Sequence, residues 1–201
     1  MRAFVALVPP AAVLDELAAA VAPARAARPD LRWTPPAQWH LTLAFLGEID
    51  GDAPDEGVLP NLTERLARAA RRHPPLELAL NGSGRFGDRV LWTRVDPANG
   101  PRALAASVGA AARRCGIPVD DRPYRPHLTL ARGRPGADLR PAVEALRSYA
   151  GSRWTADVLH LVRSRLGAGP GGTAAHEVIA TWPLGRPAAP PDEHERATWR
   201  A

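Results

Sequence analysis

Short apolar runs alternate with longer amphipathic ones along this chain, and their order repeats. Residues 4–8, FVALV, read as a buried strand that stops at a proline turn at Pro10; Val13, Leu14, Leu17 and Val21 then recur at the spacing of one helix face. After a proline-rich loop comes a strand opening on HLTLA at His40, an amphipathic helix over residues 58–72 and a strand over 76–80. The second half follows the same order. Residues 91–95, LWTRV, stop at Pro97; Leu104, Val108, Ala111 and Ala112 mark a helix; and a second HLTLA opens at His127, followed by a helix over 139–150 and a strand over 154–162. The offset from His40 to His127, 87 residues, also superposes the first strands and their prolines. A last strand over 174–182 closes the pattern, the glycine-rich stretch 167–172 reads as a mobile loop, and the polar, proline-containing residues 187–201 read as a disordered tail. The expected class is α+β: two pseudo-symmetric lobes, each an antiparallel sheet backed by helices, facing a central cleft within one bilobal domain over residues 1–186.

Composition narrows the setting. The 201 residues suffice for one core or for two small lobes that share one. There are 26 basic residues, all arginine, against 21 acidic ones, a net charge of +5 that fits an ordinary basic surface or a polyanion-binding one. The single cysteine, Cys115, excludes an intrachain disulfide and a multi-cysteine metal site, as expected for a reducing compartment. Pro9, Pro10, Asp15 and Glu16 interrupt the N-terminal apolar run before it could serve as a signal peptide. No run approaches the roughly 18 apolar residues of a membrane span, so the expectation is a soluble, cytoplasmic chain with no membrane partner.

The repeated word carries the candidate chemistry. In a strand, residues two apart share a face, so His40 and Thr42 point one way while Leu41 and Leu43 enter the core; His127 and Thr129 do the same. A pseudo-two-fold axis would bring two imidazoles and two hydroxyls together across the cleft. That set suits a phosphodiester: one imidazole takes a proton from water, the other protonates the leaving alkoxide, and the hydroxyls bind the non-bridging oxygens. Arg125, two residues before His127, shares its face if the strand extends through Pro126 and would add charge-assisted contacts. A single His-x-Thr carries little weight, whereas two identical pentapeptides inside an independently visible repeat carry much more. A structural duplication and a zinc site are the competing readings. Zinc needs a third ligand, and His73, His160 and His176 stand at no ligand-like spacing from the pair, so they read with His194 as surface or packing residues.

Two H-x-T-x motifs in a chain of this length resemble the two-histidine phosphoesterase superfamily. Within it, QWHLTLAFLGE and YRPHLTLAR, the opening MRAFVALVPP and the closing RSRLGAGPGGTAAHEVIATWPLG are similar to the RNA 2′,3′-cyclic phosphodiesterases, historically called 2′-5′ RNA ligases. The resemblance runs from about residue 1 to 186. It implies hydrolysis of RNA 2′,3′-cyclic phosphate ends to 2′-phosphomonoesters, without metal or cofactor. On that pattern His40 is the proton donor to the departing 3′ oxygen, His127 the proton acceptor from water, and Thr42 and Thr129 the phosphate-binding hydroxyls. The two halves are too alike for the residues themselves to assign acid and base. Phe45 and Arg132, each five residues after its histidine, stand where the family places base-stacking and phosphate contacts, although strand alternation puts both on the opposite face unless the chain bends. Residues 173–176, TAAH, depart from the aromatic that relatives carry before the last strand. The implied partner is RNA with a 2′,3′-cyclic phosphate end or a cyclic nucleotide, acted on by a monomer. Competing functions are 2′-5′ end joining, hydrolysis of a small cyclic phosphate, and RNA or nucleotide binding without turnover.

Overall fold

The computed structural model describes residues 1–50, 57–169 and 173–185; the tail expected over 187–201 and residues 170–172 of the expected loop lie outside the described residues. In chain order the elements are β1 (Arg2–Leu7), α1 (Ala11–Ala27), β2 (Arg32–Trp33), a 3-10 turn (Pro36–Gln38), β3 (Leu41–Glu48), α2 (Leu59–Arg71), β4 (Leu76–Phe86), β5 (Val90–Asp96), α3 (Asn99–Arg113), β6 (His127–Arg132), α4 (Arg140–Ala145), β7 (Trp154–Ala156), β8 (Val158–Arg165) and β9 (Ala175–Pro183).

The strands form one curled antiparallel sheet in the order β7-β4-β5-β6-β3-β1-β8-β9, with β2 added on β6. The order reads symmetrically from its centre. β6-β5-β4-β7 makes one lobe and β3-β1-β8-β9 the other, so the two strands that open on histidine meet in the middle. The lobes are not the two sequence halves. β4, from the first half, pairs with β5 of the second, and β8, from the second, pairs with β1 of the first. This exchange interlocks the two halves of the sequence.

Helices cover the outer face of the sheet. Leu62, Leu66, Ala69 and Ala70 of α2 and Leu104, Val108, Ala111 and Ala112 of α3 recur every three or four residues and are buried. Strand residues Leu7, Leu41, Leu80, Leu91, Leu128 and Leu130 meet them, each under 2% exposed. Burying a leucine contributes roughly 1.5–3 kcal/mol, so this layer supplies the driving force and leaves the inner face of the sheet free for chemistry.

Two expected elements differ. The helix expected over 139–150 ends at Ala145, because the following residues hydrogen-bond to β4: Gly82 N–H donates to the Tyr149 carbonyl at 2.6 Å and Gly151 N–H to the Leu80 carbonyl at 2.9 Å. The strand expected over 154–162 divides at Asp157, sending β7 to the edge of β4 and β8 to β1. Among the described residues, no helix is long and apolar enough to cross a membrane.

Candidate active site

His40 and His127 sit at the start of the two central strands. β3 and β6 pair through Leu41 and Leu128, and extending that antiparallel register by one residue sets His40 across from Thr129 and Thr42 across from His127. The four polar side chains therefore form a closed set on the inner face, each imidazole facing the other lobe's hydroxyl. Both rings are held alike. Nδ1 of His40 lies 2.7 Å from the Gln38 carbonyl, and Nδ1 of His127 lies 2.7 Å from the Arg125 carbonyl. A carbonyl only accepts, so in each ring Nδ1 carries the proton and Nε2 is the nitrogen left for acid–base work.

Strand alternation alone would turn Phe45 and Arg132 away from this face. Each strand corrects it with a bulge. On β3, Val5 pairs with Ala44 and Ala6 with Thr42, so Leu43 is an extra residue; on β6, Leu91 pairs with Ala131 and Trp92 with Thr129, so Leu130 is the extra one. Two consecutive buried residues follow in each strand, and Phe45 and Arg132 return to the histidine face. Phe45 is 62% exposed there, its ring 6.2 Å from Phe4.

Arg125 is placed differently from the expectation. β6 begins at His127, so alternation does not carry back to residue 125; what faces His127 is the Arg125 carbonyl, and its guanidinium is exposed. Tyr124 ties the lobes together by donating from its hydroxyl to the Thr42 carbonyl at 2.8 Å.

The electrostatics favour neutral rings. Burial, joined by the charges of His176, His127 and Arg132 and opposed by the Gln38 carbonyl, lowers the His40 pKa to about 4. Burial also lowers the His127 pKa, opposed by the Arg125 carbonyl and reinforced by Arg132. Arg132 thus acts on both imidazoles and is itself pushed down by burial and by Arg32 and Arg89. Among the described residues, no three His, Cys, Asp or Glu side chains converge as a metal site would require.

A family model described as the 2′-5′ RNA ligase superfamily matches residues 11–168. The chain belongs to that superfamily. It is 35% identical over 178 residues to the RNA 2′,3′-cyclic phosphodiesterase of Thermus thermophilus, a match covering 83% of each chain. It is 34% identical over 157 residues to the RNA 2′,3′-cyclic phosphodiesterase of Geobacillus stearothermophilus, covering 76% of this chain but 47% of that relative's length. Among solved structures, TT0787 of Thermus thermophilus shares 31% identity and a TM-score of 0.69, covering 93% of this chain and all of that one.

Within this member of the superfamily, several cleft residues escaped sequence reasoning. His176, expected as a surface or packing residue, packs in the cleft: it lies in β9 opposite Ser164, with its ring 5.2 Å from His40 and 5.1 Å from Phe4, both edge to face. Phe4 stacks on His40 at 4.6 Å. In the other lobe, Phe86 meets His127 edge to face at 4.9 Å and Trp92 lies 6.2 Å from it. The available signal was strand parity, since Phe4 and Trp92 each lie on the inner face of a strand beside a histidine strand. Gln38 was also missed; its amide donates to the Ala174 carbonyl at 2.6 Å and to Thr173 Oγ1 at 3.1 Å, fixing the approach to β9 beside the turn whose carbonyl holds His40.

Proposed function

We propose that this chain hydrolyses the 2′,3′-cyclic phosphate at an RNA end to a 2′-phosphomonoester by paired-histidine acid–base catalysis. The observation that carries this reading is the matched pair of imidazoles, each with Nδ1–H fixed on a backbone carbonyl and each across from the other lobe's threonine. The names of the Thermus and Geobacillus relatives support the same substrate.

The roles follow the family assignment. Nε2 of His127 takes a proton from water as the water oxygen bonds to phosphorus. The bond from phosphorus to O3′ breaks, and the proton on Nε2 of His40 passes to O3′. Thr42 and Thr129 donate to the non-bridging oxygens, whose charge rises in the transition state. Arg132 offsets that charge, and Phe45 offers an exposed ring to the terminal base. His40 must be protonated to act, although its pKa is about 4. The bound phosphate supplies the correction, because a neighbouring negative charge raises an imidazole pKa. Substrate binding therefore creates the acid it needs.

The test is phosphorus NMR of a short RNA ending in a 2′,3′-cyclic phosphate, in EDTA, with the wild type, His40→Ala and His127→Ala. Wild-type conversion to a 2′-monophosphate that both variants lose is the expected result. Equal conversion by either variant would remove the two-histidine mechanism, and no conversion by the folded wild type would remove the substrate.

A further inference from the structure

Arg32 and Arg132 lie side by side where a polyanion could pass the histidine strands, and Arg89 precedes the strand residue paired with Arg132. Arg32 of β2 is the direct cross-strand partner of Arg132, so the two side chains share a face. On the other side of β6, Val90 pairs with Arg132 and Arg89 immediately precedes it, its carbonyl accepting from Gly133 N–H at 3.0 Å. Like charges placed directly opposite are destabilising unless something answers them. Among the described residues, none of the three makes an ion pair. The acids nearest in sequence are committed elsewhere: Asp30 pairs with Arg28 at 2.6 Å, and the Asp88 carboxylate accepts from Gly136 N–H at 2.5 Å. Burial lowers the Arg132 pKa, and the charges of Arg32 and Arg89 act in the same direction.

We infer that Arg32 and Arg89, together with Arg132, form a subsite for a second phosphate of a single-stranded RNA, the internucleotide phosphate upstream of the cyclic end. The inference rests on the proposed reaction and deepens it. The cyclic phosphate occupies the histidine and threonine set, and Arg132, at the far end of the same strand, is flanked by β2, which carries Arg32, and by β5, which Arg89 precedes. A mononucleoside 2′,3′-cyclic phosphate has nothing to place at Arg32 and Arg89. An oligonucleotide has, so the subsite selects RNA ends over free cyclic nucleotides.

Two substrates test this: a nucleoside 2′,3′-cyclic phosphate, and the dinucleotide that adds one 5′ phosphodiester to the same nucleoside. In the wild type the dinucleotide should have the higher kcat/KM, by about tenfold, as expected of a charge-assisted contact. In R32Q/R89Q the ratio of the two kcat/KM values should fall toward unity. A ratio that is the same in wild type and variant overturns the subsite. If the wild type turns over neither substrate, the proposed reaction fails, and a binding measurement judges the subsite separately. The probe is a 5′-fluorescent single-stranded RNA tetranucleotide with a 3′ phosphate, followed by anisotropy across a salt series. Each phosphate left unneutralised lowers the slope of log affinity against log salt by about 0.7, and the two arginines are assigned to one phosphate, so R32Q/R89Q should lose about 0.7 while R32K/R89K keeps the slope. An unchanged slope in R32Q/R89Q overturns the inference.

Discussion

Leu41 and Leu128 are direct cross-strand partners, each the residue after a histidine, and among the described residues theirs is the pairing that joins β3 to β6. Both are buried, at 1% and 0% exposure. The core contact that joins the lobes thus also sets the spacing of the face that carries the histidines and threonines. A slip of one residue would turn both histidines into the core.

Because each threonine lies across from the opposite histidine, Thr42→Val and Thr129→Val should each lower kcat, by roughly 100–1000-fold, the range found on removing one donor to a developing oxyanion. Valine keeps the shape, and neither threonine is fully buried, so the thermal midpoint should move little. Steady-state kinetics beside thermal unfolding checks this. Full activity in either variant would show that its hydroxyl makes no transition-state contact.

The pH–rate profile should report the substrate's effect on His40. In the free protein both imidazoles titrate below the ordinary histidine value of 6.5. Since kcat/KM follows the free protein and kcat the complex, kcat/KM should be bell-shaped with its maximum below pH 6.5, and the alkaline limb of kcat should lie at higher pH. A kcat profile that coincides with that of kcat/KM on both limbs would show that bound phosphate does not raise His40.

How far the sequence revealed this site can be judged from particular residues. The two HLTLA strands, their facing polar sides and the two lobes were legible because period-two patterning and an 87-residue repeat are local properties of the chain. The exchange of β4 and β8 between lobes was not, because strand pairing is non-local and either lobe could accept a third strand with the same apolar pattern. Phe45 and Arg132 were assigned by resemblance against their parity; what reconciles them is one inserted residue per strand, Leu43 and Leu130, which looks in sequence like any other core leucine. What His176 packs against was not legible, because its neighbours, Phe4 and His40, come from strands far away in sequence.

Gly84 carries an aromatic wall by having no side chain. A Cβ there would lie 2.3 Å from the Trp92 ring, far inside contact distance, and the bulky indole cannot yield without moving toward its other neighbours, Phe86 and His127. Gly84→Ala should therefore lower both the thermal midpoint and kcat/KM. Adding Trp92→Leu should restore the midpoint but not the rate, since the ring beside His127 is then absent. Wild-type kinetics in Gly84→Ala would show that the packing of Trp92 has no bearing on the base.

Acid sensitivity should expose the burial of His40 even without substrate. Its pKa is about 4 when folded and about 6.5 when unfolded. Between those values the unfolded chain holds a proton that the folded chain refuses, so stability rises with pH across this window. The contribution is fully present above pH 6.5 and lost as pH falls through 4. His127, His160 and His176, also lowered by burial, act in the same direction. Carboxylates such as Asp120, lowered from 3.8 to about 2 by its hydrogen bonds with Arg122, lose their contribution only below that window. The decline in thermal midpoint from pH 7 to 4 therefore belongs chiefly to histidines, and His40→Gln, which cannot charge, should show a shallower decline than the wild type. Parallel curves for the two proteins would mean that His40 titrates in the folded state as it does in the unfolded one, and the substrate-raised acid would lose its physical basis.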